Sequence, residues 1–119
     1  MNYQIEYKNF IDSYVNGETT GIDVGELIAR LAQYYADANG AYVIALRFYN
    51  IKYAEFESSI DAAGKQISSS KAKVLVSATG ENNALEDAKM HLSNIEMMIN
   101  ALKSLQKGIL NEYSHMGGV

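Results

Sequence analysis

The chain has 119 residues, 48% of them hydrophobic, with no Pro, no Cys and a formal net charge of −4. That length fits one domain with a sizeable core, and the lack of Cys excludes a disulfide framework, a thiolate nucleophile and a Cys-based zinc site. The negative balance disfavours coating of duplex DNA, which relies on Lys and Arg to neutralise many phosphates.

Tyr3, Tyr7, Phe10, Ile11, Tyr14 and Val15 share one helical face, which predicts a short helix over 3–15 that stops at Asn16-Gly17. The same stretch carries Glu6 and Asp12 and lacks the apolar block of a signal peptide. No stretch reaches the roughly 18 apolar residues that a bilayer span needs, so a cytoplasmic location is expected.

A second helix is expected over 23–38. Asp23 and Glu26 have capping-box spacing, Ile22 and Leu27 flank them as a hydrophobic staple, and Val24, Ile28, Leu31, Tyr35 and Ala38 form the stripe to be buried. Asn39-Gly40 reads as a stop, yet the stripe continues in phase through Tyr42, Ala45 and Tyr49. A Gly inside a helix costs only about 1 kcal/mol relative to Ala, so a kinked continuous helix and a tight turn both stay open.

From Tyr42 a heptad runs through Leu46, Tyr49, Tyr53, Phe56, Ile60, Ala63, Ile67, Ser70 and Val74, giving a long helix over 41–77. A break near Gly64, with Ser68 capping a new helix, is favoured over continuity, because Asp61, Gly64 and three consecutive serines all suit turns. Thr79-Gly80-Glu81-Asn82-Asn83 is the clearest loop, and its shortness makes its flanking helices antiparallel neighbours.

The last helix, expected over 83–113, carries the strongest pattern in the chain. Leu85, Ala88, Leu92, Ile95, Ile99, Leu102, Gln106, Ile109 and Tyr113 follow one another at alternating three- and four-residue steps. Met90, Met97, Met98 and Leu105 make a second apolar strip beside that seam. One hairpin cannot cover both, so the N-terminal helices or a second subunit must. Ser114 to Val119 is expected to fray. The fold prediction is all-α: one domain over 1–119, a long antiparallel helical hairpin with one or two shorter N-terminal helices, assembled as a homo-oligomeric bundle.

Chemistry is sparsely marked. Gly64-Lys65 superficially resembles a phosphate loop, but the positions that need Gly and Ser or Thr hold Ser59 and Gln66. His91 and His115 stand apart from any metal-ligand spacing, no Ser/His/Asp order is legible, and no metal or cofactor is implied. A non-enzyme is therefore expected. If Ser68 caps a helix, its first turn presents free N–H groups beside Lys65, Lys71 and Lys73, and hairpin pairing brings up Lys89 and His91. That is a candidate small-anion site, against the plainer reading of a solvated Lys-rich helix end. The same pairing sets Lys103 and Lys107 near Glu55, Glu57 and Asp61 as surface ion pairs. Gln106, the polar member of the seam, either fixes register or contacts ligand. The nine Tyr fit core and interface packing better than base stacking.

Gly64-Lys65-Gln66-Ile67-Ser68-Ser69-Ser70-Lys71-Ala72-Lys73, with Leu102-Lys103-Ser104-Leu105-Gln106-Lys107-Gly108-Ile109-Leu110-Asn111-Glu112-Tyr113, resembles small all-helical proteins encoded by phages and prophages. The likeness covers about the C-terminal two thirds and carries no signature motif. It implies a bacterial host cytoplasm and an accessory role in DNA metabolism or counter-defence, and it transfers no catalytic residue. Two functions follow as expectations. The first is a non-catalytic sponge that sequesters an anionic ligand such as a nucleotide signal, using Lys65, Ser68, Lys71, Lys73, Lys89 and Gln106. The second is a module that binds a host or phage DNA-metabolism protein.

Overall fold

The structure, a computed structural model, describes residues 2–117, with side chains described for 2–109. Four helices account for most of it: α1 (Tyr3–Val15), α2 (Gly21–Glu57), α3 (Ser69–Ser77) and α4 (Gly80–Gly117). Among the described residues there is no strand, only an isolated antiparallel bridge between Ile60 and Gln66. The fold is all-α.

Each boundary has a local cause. α1 ends in a Schellman arrangement: Gly17 takes φ +75°, its N–H donates to the Tyr14 carbonyl, and the Glu18 N–H donates to Ser13. The capping box of α2 lies one turn earlier than Asp23-Glu26. The Thr20 N–H donates to Asp23 Oδ2 at 2.8 Å, and the Asp23 N–H to Thr20 Oγ1 at 3.4 Å. Asp23 is thus the third residue of the box rather than the cap, and the helix starts at Gly21.

α2 then runs unbroken through Asn39-Gly40. Ala38 is buried and Tyr42, Ala45, Leu46 and Tyr49 are half-buried, so packing on both sides of Gly40 outweighs its low propensity.

The helix stops at Glu57, earlier than the Gly64 break read from the sequence. Ser58 Oγ donates to the Ala54 carbonyl at 2.7 Å and Ser59 Oγ to that of Phe56 at 2.6 Å, which satisfies carbonyls of the last turn. Asp61 Oδ1 then accepts the N–H groups of Ala63 and Lys65, and Gly64 takes φ +80°. The expected helix over 41–77 is therefore two helices separated by a tight loop. Ser68 caps α3, its Oγ accepting the Lys71 N–H at 3.1 Å. Thr79 serves two helices: its hydroxyl donates to the Val76 carbonyl and accepts the Asn82 N–H, so α4 starts at Gly80 rather than near 83. Helix α4 continues to Gly117, past the expected end at 113. The expected fraying of Gly118 and Val119 lies outside the described residues, as do the side chains of Tyr113 and His115.

The chain divides into two compact units. Unit 1 joins the residues up to Asp37 to those from Ser93 onward; unit 2 is Ala38–Leu92. At 1.5 Å per residue α1 spans about 20 Å and α3 about 14 Å, whereas α4 spans about 57 Å and contributes to both units.

Unit 1 buries Tyr3, Phe10, Val24, Leu27, Leu31, Ile95 and Leu102. Its α2 and α4 segments are antiparallel: a Cβ on Gly21 would lie 3.8 Å from Ile109 Cγ2, and one on Gly25 3.4 Å from Gln106 Nε2. In unit 2, Ala45 and Phe48 of α2 line one cavity with Glu81 and Ala84 of α4, again antiparallel. This register differs from the expected one. With α2 ending at Glu57, only α3 folds back about Thr79, so Lys103 and Lys107 belong to unit 1 while Glu55, Glu57 and Asp61 belong to unit 2.

Candidate functional site

The expected anion-site residues divide as follows. Lys65, Ser68, Lys71, Lys73 and Lys89 belong to unit 2, whereas Gln106 belongs to unit 1. Ser68 and Lys71 share the first turn of α3, but the Ser68 hydroxyl is used by the Lys71 N–H. Lys65, Lys71 and Lys73 are exposed. Lys89 is held by Glu86 on its own helix at 3.3 Å, an exposed pair of the i,i+3 kind. The start of α3 also has an anion of the chain's own. Glu57 Oε2 accepts the Ser69 hydroxyl at 3.1 Å, and the Glu57 carbonyl accepts Gln66 Nε2 at 2.6 Å. A carboxylate there complements the helix dipole and occupies the place an incoming anion would take. Gln106 is half-buried, its amide against Gly25.

The grooves of unit 1 are polar and internally committed. One of about 440 Å³ is lined by Glu6, Glu18, Asp23, Glu26 and Arg30, with Phe10 at its wall. Glu6 pairs with Arg30 at 3.2 Å, and Asp23 Oδ2 accepts the Thr20 N–H at the start of α2. Glu6, as hydrogen-bonding and charged neighbour, also raises the Tyr34 phenol above its ordinary value of 10.0. Among the described residues no cluster of three or more His, Cys, Asp or Glu is arranged to hold a metal.

Unit 2 presents a different surface. Its fully buried residues are Ala38, Ala72, Val76, Leu85 and Ala88, all small or of moderate size. Its larger apolar side chains lie outside. On α2, Val43 is 47% exposed, Ile44 55%, Phe48 56% and Ile51 51%; on α3 Val74 is 68% exposed, and on α4 Met90 is 49%. The opposite side of the same α2 segment is also apolar, with Tyr42, Tyr49, Tyr53 and Phe56 half-buried. An open groove of about 460 Å³ follows this outer face, lined by Val43, Leu46, Arg47, Asn50, Ile51 and Ala54.

The sequence heptad from Tyr42 identified the inner side of this helix and left the outer one unread. The signal was present: Val43, Ile44, Phe48 and Ile51 repeat at helical spacing alongside the heptad. No helix among the described residues is long and apolar enough to cross a membrane. No protein-family model, characterised protein or solved structure matches the chain.

Proposed function

We propose that this chain is a non-catalytic interaction module that docks on another protein through the outer α2 face of unit 2. The observation that carries this reading is the apolar surface left on that unit: Val43, Ile44, Phe48 and Ile51 are each about half exposed along one stretch of α2. Leaving them in water forgoes about 25 cal/mol for every Å² of apolar area a partner would cover. The exposed Met90 of α4 adds apolar surface of the adaptable kind that recurs at binding sites. The resemblance to phage-encoded helical proteins makes host or phage proteins of DNA metabolism the first candidates as partner, with a second copy of the chain as the competitor.

The anion-sequestering reading has less support. Its hydroxyl caps its own helix, and Glu57 stands at the helix start. Site-specific photo-crosslinking tests the docking. A photoreactive residue at Phe48 or Ile51 should give a discrete adduct in host lysate, and one at the exposed Asn39 should give none. Equal labelling from all three positions, or none from any, would overturn the reading.

A further inference from the structure

We infer that the occupant of the outer α2 face is an amphipathic helix that brings a carboxylate to Arg47, an inference that rests on the docking reading above. Arg47 lines the groove with Val43, Leu46, Asn50, Ile51 and Ala54, and it has no ion-pair or hydrogen-bond partner among the described residues. In the free chain water solvates its guanidinium. Any partner that covers the groove removes that water, and burying an unpaired cation is strongly unfavourable. The partner must therefore supply an acceptor, and a carboxylate meets the planar guanidinium with two parallel hydrogen bonds.

The shape of the surface selects a helix. Val43, Arg47 and Ile51 follow one another along α2 at four-residue steps, the ridge that a second helix accepts between its own side chains. Gly40 at one end and Ala54 at the other leave room for close approach.

Charge disfavours the simplest alternative. A twofold contact between two copies of this face would set the patch against itself. The carboxylate beside it, Glu55, is already engaged by Lys52 at 3.3 Å, so a second copy brings another Arg47 and no free anion. An acidic partner meets no general repulsion here. The cations and carboxylates of Ala38–Leu92 balance at six each, so the chain's net −4 falls on unit 1.

The test uses the full chain and three synthetic amphipathic helices of about 18 residues, five turns each. All share one Leu/Ile stripe, flanked in turn by Glu, by Gln or by Lys, and binding is read by fluorescence anisotropy. The Glu-flanked helix should bind at least about tenfold tighter than the Lys-flanked one, with the preference reversed by Arg47→Glu and retained by Arg47→Lys. Raising the salt should narrow the difference. Equal binding of the three helices, lost on Phe48→Glu, would overturn the acidic partner while leaving the docking face in place. No binding by any would overturn both. Concentration-dependent doubling of mass without peptide, abolished by Phe48→Glu, would identify a second copy as occupant and also overturn the proposal.

Discussion

The carboxylate of Glu57, the last residue of α2, accepts the hydroxyl of Ser69, the first residue of α3, at 3.1 Å. One contact thus ties the end of one helix to the start of the next and sets a negative charge where the second helix's dipole favours it. The consequence is chemical as well as structural. An N-terminus that would attract phosphate already has an anion. Wild-type protein should show no rise in melting temperature with cyclic or linear nucleotides. A ligand at a hundredfold excess over its dissociation constant would add about 2.7 kcal/mol, which a thermal-shift screen would detect.

Ser68→Ala removes the side-chain cap of α3, whose Oγ accepts the Lys71 N–H. The loss should be about 1 kcal/mol in urea denaturation, with an unchanged dependence on denaturant. A larger loss with a changed slope would mean that α3 contributes more to unit 2 than its cap.

Two glycines should respond in opposite directions to alanine. Gly40 is inside α2 with open space where a Cβ would go, so Gly40→Ala should stabilise by about 0.5–1 kcal/mol. Gly64 holds φ +80°, where an L side chain is strained, and Gly64→Ala should cost about 1–2 kcal/mol. Chemical denaturation of both variants checks the pair.

Phe48→Ala should leave folding stability within about 1 kcal/mol of wild type, since the ring is mostly exposed. Leu31→Ala, in the buried core of unit 1, should cost about 2–5 kcal/mol. The contrast separates surface from core. A large loss at Phe48 would mean that its ring packs within the chain and is not a docking residue.

Gln106→Leu replaces a half-buried amide that lies against Gly25. Removing a partly desolvated polar group should raise stability by about 0.5–1 kcal/mol. Light scattering on the same variant reads whether the mass in solution changes, which separates a role in register from simple packing.

Helicity and the course of the strongest seam were legible in the residues alone. The absence of Pro and the three- and four-residue spacing of Leu85, Ala88, Ile95 and Leu102 are local properties, and all four residues are buried. Asn16-Gly17 and Ser68 were legible for the same reason, because caps act within one turn. What lay beyond one turn was decided by tertiary structure. Whether Gly40 ends a helix depends on whether its flanks pack, and which half of α2 meets which part of α4 depends on where Ser58 and Ser59 close the helix. The outer α2 face escaped the sequence reading because periodicity marks apolar positions without saying which of them the fold covers. Tyr42 and Phe48 are both aromatic and both on α2; only the tertiary structure leaves the first half-buried and the second 56% exposed.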